Sequence, residues 1–233
     1  MDAKLAAEEV EQGSERFPYA TWGPGAAILG LFVALSAQVF LATPVAIVEG
    51  GGGDQSTAAN IALQLITAAT FFVAPFVVAS IRGASGEEAM RRLGLRRFGS
   101  AAVPWMGVAV GVYLAFTAAY VAIVGEPDQK DIAEDFGPVA FQIVLIVLAA
   151  PISEEICFRG MLFGGFRERM STIPAALISG TIFGALHFSG GVSVVPPLIV
   201  FGFVLALLYE RTGSIVPGII LHMLNNAVVL LGQ

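Results

Sequence analysis

Residues 139–163, VAFQIVLIVLAAPISEEICFRGMLF, form an apolar run long enough to cross a bilayer, yet they hold two acids and a base: Glu154, Glu155 and Arg159. A run of about 18 or more apolar residues reads as a transmembrane helix, because a helix satisfies its own backbone hydrogen bonds in hydrocarbon. Each ionised group in such a helix costs roughly 2.5–3.5 kcal/mol even on mild insertion scales. Three of them kept together in one span point to a polar site inside the membrane.

The rest of the chain supports that setting. Of the 233 residues, 56% are hydrophobic and 13% charged, about half the charged fraction of a soluble domain. The apolar residues fall in long runs, which predicts an all-α polytopic transmembrane bundle of about seven spans, near 25–48, 57–81, 102–124, 138–163, 173–189, 193–209 and 215–231. The fifth and sixth are expected to be short. The alternating segments of an outer-membrane barrel are absent from the sequence, a single cysteine excludes an internal disulfide, and no basic arm points to nucleic acid.

The net charge of −6 conceals a segregation. Acids collect in the first fifteen residues and in the loop from Glu126 to Asp135, which also carries Lys130. Arginines collect in alternate loops: Arg82, Arg91, Arg92, Arg96 and Arg97, then Arg167 and Arg169, then Arg211. With seven spans these basic loops share one side, which places the N terminus in the cytoplasm. Residues 1–22 are expected to form a mobile acidic tail. Residues 23–233 form one membrane domain, with the catalytic core near 138–231. The tail is too acidic and the first apolar run too long for a cleaved secretory signal, so that run is expected to be retained.

Helical geometry divides the polar residues of the fourth span. Glu155 and Arg159 lie four apart on one face and can pair. Glu154 projects about 100° away, toward a cavity, as a candidate general base. Pro151 cannot donate to the carbonyl of Val147 and leaves a free acceptor one turn before Glu154. Pro75, Pro196 and Pro197 are likewise expected to bend their spans. The only histidines, His187 and His222, sit in two later apolar runs. Phe183 lies one turn before His187, and Asn226 one turn after His222. Glu154 and His187 each lie about 20 Å of helix from the basic side, at matching depth, whereas His222 counts as shallower. A structural ion pair is the alternative reading of Glu155 and Arg159, and satisfied core residues that of the histidines. Pairs at four-residue spacing, Gly107/Gly111, Gly160/Gly164 and Gly180/Gly184, suit close helix contact or reflect ordinary glycine enrichment. No His-Glu-x-x-His occurs, no aspartate lies in a span, Cys157 reads as packing and Ser153 lacks a nucleophile elbow.

Three motifs stand in order: Glu-Glu-x-x-x-Arg at Glu154, Glu155 and Arg159; Phe-x-x-x-His at Phe183 and His187; His-x-x-x-Asn at His222 and Asn226. Together, over about residues 138–231, they resemble the CAAX prenyl protease and bacteriocin-processing family of intramembrane endopeptidases, which includes the type II CAAX prenyl endopeptidases. The stretch from Arg91 to Arg97 also looks like that family's loop before the core. The resemblance implies hydrolysis of a peptide bond in a membrane-associated or lipidated substrate within the bilayer, and richness in alanine, glycine and valine points to a prokaryotic plasma membrane as the setting. By the same carry-over, Glu154 and His187 activate water, His222 and Asn226 stabilise the oxyanion, and Glu155 and Arg159 hold the constellation. No cofactor is required on this reading. A zinc ion, where present, would take Glu154, His187 and His222. A non-catalytic immunity or scaffold protein and a proton-coupled transporter using the buried acids are the competing readings, the latter lacking an internal repeat.

Overall fold

A computed structural model of the protein describes residues 17–50, 55–81, 83–127 and 134–232. Among these residues every regular element is helical. The long helices are α1 (Pro24–Val48), α2 (Thr57–Ser80), α4 (Ala102–Val124), α5 (Val139–Arg167) and α7 (Val195–Thr212). The short ones are α3 (Gly86–Arg92), α6 (Thr172–Leu186) and α8 (Val216–Leu231). Five helices are long and apolar enough to cross a membrane, one of them α7 with the turn before it (Val192–Thr212). Their outer faces are apolar as lipid demands, with Phe40 76% and Ile123 84% exposed. The chain is a helical integral membrane protein.

The lengths depart from expectation in one respect. The sixth apolar run makes a full helix, and it is α6 and α8, with 15 and 16 residues, that are short. At 1.5 Å per residue each reaches only about 22–24 Å, less than the hydrocarbon thickness. Pro196 and Pro197 start α7 in its first turn, where a missing N–H costs nothing, and so do not bend a span.

The central element is α5, around which α1, α2, α6, α7 and α8 pack. It is not a uniform α-helix. Val139–Gln142 is α-helical, Ile143–Ala149 is a π segment, Ala150–Glu155 returns to α, Ile156–Phe163 is again π, and Gly164–Arg167 closes as α. Such π insertions are rare and tend to mark functional sites. Pro151 shapes the first one. The N–H of Ala150 bonds to the carbonyl of Leu145, five residues back. The next carbonyl, Ile146, then has neither Ala150 nor the N–H that Pro151 lacks. The acceptor set free by the proline is therefore Ile146, one residue earlier than the Val147 that an ideal α register gives.

The glycine pairs separate cleanly. A Cβ on Gly180 would lie 2.7 Å from the nitrogen of Phe203 and 2.8 Å from the carbonyl oxygen of Ile199, and one on Gly184 would lie 2.7 Å from the nitrogen of Ile199, so α6 and α7 touch backbone to backbone there. Gly160 meets the carbonyl of Leu93 just as closely, at 2.7 Å. Gly107 and Gly111 face open space. Their spacing reflects composition, not contact.

The basic loops meet at one end of the bundle. Arg96 lies over the ring of Tyr19, and Arg167 makes a two-pronged ion pair with Glu210, 2.7 Å on both arms. Arg92 pairs with Glu88 and donates to Thr21. Residues 17–22 pack under this end, with Trp22 donating from Nε1 to the carbonyl of Met161 at 2.9 Å. Residues 1–16, Asp54, Arg82 and Lys130 lie outside the described residues; of the expected mobile tail 1–22, residues 17–22 are described and are docked on the bundle. At the other end Glu49 accepts from the N–H and hydroxyl of Ser56, which holds its carboxyl below the usual range and ties α1 to the cap of α2.

The glycine contacts give the first test. Gly180→Ala should destabilise the protein by about 1–3 kcal/mol through overpacking, and Gly107→Ala by no more than about 0.5 kcal/mol in either direction. Thermal unfolding in detergent reads both. Equal effects at the two positions would contradict this packing.

Candidate active site

Three helices bring the sequence-nominated residues together. Glu154 and Glu155 end the α segment between the two π segments of α5, Arg159 lies inside the second, His187 caps the C terminus of α6, and His222 and Asn226 lie on α8. Glu154 Oε2 stands 3.9 Å from His187 Nε2 and 3.7 Å from His222 Nε2. The side chains are 13% exposed at Glu154 and 34% at His187. Their neighbour Glu155 is fully buried, facing away from the cavity as the 100° offset requires.

Glu155 organises the buried side. Its Oε1 lies 3.0 Å from Arg159 Nη1 and 3.1 Å from His222 Nδ1. The Arg159 guanidinium is also buried and lies 4.5 Å from the centre of the Phe183 ring, a cation–π contact. Two glycines make room for this pair. A Cβ on Gly218 would come within 3.2 Å of Glu155 Oε2, and one on Gly202 within 3.3 Å of Arg159 Nη2. Sequence reading passes over both, because nothing in their local pattern distinguishes them from other glycines of membrane helices.

The partners fix the imidazole tautomers. A carboxylate only accepts, so His222 Nδ1 donates to Glu155. The carbonyl of Phe183 also only accepts, so His187 Nδ1, 2.8 Å away, donates to it. In the neutral rings both Nε2 atoms carry lone pairs and both face Glu154. Phe183 packs against both rings, with centroids 4.6 Å from His187 and 5.7 Å from His222. The expected wall at His187 thus serves both histidines.

His222 reaches this level because α8 starts recessed. The N–H of Ile215 bonds to the carbonyl of Gly94, and Ser214 donates to the carbonyl of Arg96, on a loop whose Leu93 packs against Gly160. Gly160 and Val216 each lie six residues, about 9 Å of helix, from Glu154 and His222 respectively. The count from the chain ends that made His222 shallow is corrected by this recess. Asn226, one turn on, donates from Nδ2 to the orphaned Ile146 carbonyl at 3.0 Å and accepts from Asn225.

Glu154, His187, His222 and Asn226 line a cavity of about 640 Å³. It runs toward Pro127, Phe136 and Gly190, away from the arginines, and its other wall comes from α1 and α2. Cys157 is buried and Ser153 donates back to the carbonyls of Ala149 and Ala150, so neither enters it.

A carboxylate with two imidazole Nε2 atoms is a donor set that zinc accepts, and each ring already donates its other N–H, as metal-bound imidazoles do. Tetrahedral zinc with bonds of about 2.0–2.1 Å would hold its donors about 3.4 Å apart. The separations here are wider, and among the described residues no three such groups form a ligand cluster. A water molecule making hydrogen bonds of about 2.8 Å to Glu154 and one ring spans them at an acute angle.

Removing Arg159 should leave a buried carboxylate uncompensated. Arg159→Met is expected to cost about 3–5 kcal/mol of stability, and Glu155→Gln in the same chain to restore part of it. Thermal unfolding of the single and double variants measures this; additive losses would contradict the pairing.

Residues 136–228 match the family model described as type II CAAX prenyl endopeptidase Rce1-like. The chain is 35% identical over 98 residues to the "Putative membrane peptidase YdiL" of Bacillus subtilis (strain 168), an overlap of 41% of this chain and 38% of that one. It is 29% identical over 131 residues to an "Uncharacterized 24.3 kDa protein" of Escherichia coli, covering 52% and 59% of the two chains. The overlaps thus span less than two thirds of either relative. No solved structure matches significantly. The matched segment contains Glu154, Glu155, Arg159, His187, His222 and Asn226, and over residues 136–228 the chain is similar to the type II CAAX prenyl endopeptidase Rce1-like family.

Proposed function

We propose that the protein is an intramembrane endopeptidase that cleaves a membrane-associated peptide with water activated by Glu154. The observation that carries this reading is the convergence of Glu154, His187 Nε2 and His222 Nε2 within 3.9 Å at the base of one cavity. Its substrate class is a peptide or lipidated protein terminus lying in the bilayer. The named relatives are bacterial, and the arginines gather at one end, so the assigned setting is a bacterial plasma membrane with the arginine end in the cytoplasm.

Each step follows from a donor or acceptor. Water between Glu154 and His187 gives one proton to the Glu154 carboxylate and is oriented by the lone pair on His187 Nε2. The oxygen adds to the scissile carbonyl. The oxyanion that forms is met by the second N–H of the Asn226 amide and by His222. When protonated, His222 keeps Nδ1–H on Glu155 and presents Nε2–H to the oxyanion, so Glu155 with Arg159 orients the donor. Preorganised donors of this kind contribute about 3–4 kcal/mol in a site poor in water. Glu154 then returns its proton to the leaving amine, and the C–N bond breaks. A zinc ion bound here would be held by Glu154, His187 and His222 and would supply Lewis-acid polarisation of the carbonyl.

Glu154→Gln should abolish cleavage of a membrane-embedded peptide while the protein inserts and unfolds as the parent does. Asn226→Ala should lower kcat about 100-fold or more. Parent activity should survive dialysis against a chelator, given the donor spacing. Undiminished cleavage by Glu154→Gln would end the proposal, and loss on chelation reversed by zinc would replace its water-activation step.

A further inference from the structure

The cavity wall opposite Glu154 is built by α1 and α2, outside the family-matched segment, and it carries amide side chains within two apolar helices: Gln38 and Gln64. Gln38 Nε2 donates to Thr67 Oγ1 at 2.7 Å, and that hydroxyl donates to the carbonyl of Leu63 at 3.0 Å. Among the described residues, one N–H and the carbonyl oxygen of Gln38 are left over. Gln64 makes no hydrogen bond among the described residues and lines the cavity. Both side chains are half-buried, and polar groups lacking partners are costly in an apolar setting; Gln38 ties α1 to α2 through Thr67, whereas among the described residues no hydrogen bond within the helix pair uses the Gln64 amide.

Packing fixes their height. Phe71 of α2 meets Phe158 of α5 edge to face, with centroids 5.5 Å apart. Thr67 lies one turn before Phe71, as Glu154 lies one turn before Phe158, and the two helices run in the same direction. Thr67 and the Gln38 bonded to it are therefore level with Glu154. Gln64 shares their face and sits three residues, about 4.5 Å, nearer the open end. The gap between these amides and the Glu154 site is bordered by Phe71, Phe158 and Ile146, all apolar.

We propose that Gln38 and Gln64 form a subsite that reads the main chain of an extended peptide substrate, one segment of which lies between them and Glu154. A primary amide offers an N–H and a C=O side by side, the complement of a peptide group, and it is neutral. It can pair with any sequence, so it holds the backbone and leaves side-chain preference to the apolar walls. A carboxylate or ammonium would suit a charged ligand instead, and among the described residues none lines this wall. The assignment rests on the peptidase reading for the identity of the peptide, but not for the existence of the site.

The test uses binding, not turnover. The Glu154→Gln protein in nanodiscs is titrated with a fluorescent leucine- and alanine-rich peptide, and with variants carrying one backbone ester in place of an amide at successive positions. One or two ester positions should weaken binding about tenfold, the size of a lost hydrogen bond in a dry site. Adding Gln64→Leu, which breaks no internal hydrogen bond, should weaken binding of the all-amide peptide similarly and make it insensitive to one of those esters. A merely structural role for Gln64 cannot produce that loss of sensitivity. An ester profile unchanged by both Gln64→Leu and Gln38→Leu, or no binding of the peptide at all, overturns the subsite. If the profile appears as expected but the parent protein cleaves nothing, the subsite stands and the peptidase reading falls.

Discussion

Glu155 is the carboxylate on which the site hangs. It is buried to zero exposure, and one of its oxygens meets both Arg159 of its own helix and His222 of another. Charges taken out of water need excellent compensation, and breaking such a pair costs far more than forming it contributes. That asymmetry gives the arrangement its rigidity. Arg159 cannot leave, His222 cannot rotate without losing its acceptor, and the ring nitrogen that faces Glu154 is decided in consequence. Glu154, one residue earlier, remains on the cavity side, where water can reach it.

The helix that carries these residues is held by donors from other elements. Asn226 reaches the Ile146 carbonyl, Ser179 the Phe158 carbonyl and Trp22 the Met161 carbonyl. All three acceptors lie in its π segments, and Ile146 is the carbonyl that Pro151 orphans. In hydrocarbon an unpaired backbone group is costly, so departures from α geometry persist only where protein supplies partners. The irregularity that positions the acids is thereby coupled to the docking of α8, α6 and the segment before α1. Two helices shorter than the hydrocarbon thickness, α6 and α8, carry the histidines: α6 ends at His187, and α8 passes the site two turns after its start.

Much of this was legible in the chain. The apolar runs gave the helices, the offset between adjacent residues of a helix separated the roles of Glu154 and Glu155, and the four-residue step gave both the Glu155–Arg159 pair and the Phe183 wall. What escaped was tertiary or concerned register. No periodicity announces a π segment, so the free carbonyl was assigned to Val147 when it is Ile146. The recess of α8 depends on a loop some 120 residues earlier in the chain (Gly94 to Ile215), and counting from helix ends could not reveal it. Gly202 and Gly218 look like any membrane glycines until the buried ion pair is placed beside them. Gln38 and Gln64 were visible as polar residues in apolar runs, but only the Phe71–Phe158 contact sets them at the height of Glu154.

The central claim is that Glu154 and both histidine rings share one pocket within the bilayer. The chain has only two histidines, so uniform ¹⁵N-histidine labels His187 and His222 and nothing else of that type. Solid-state NMR of the protein in lipid, with ¹³C-labelled glutamate, measures carboxylate–imidazole couplings and the ring tautomers together. The account requires couplings to both rings that match oxygen–nitrogen separations of 3.7 and 3.9 Å and vanish in Glu154→Gln with unlabelled glutamine, with both neutral rings protonated at Nδ1. Couplings confined to Glu155, or rings protonated at Nε2, would contradict it.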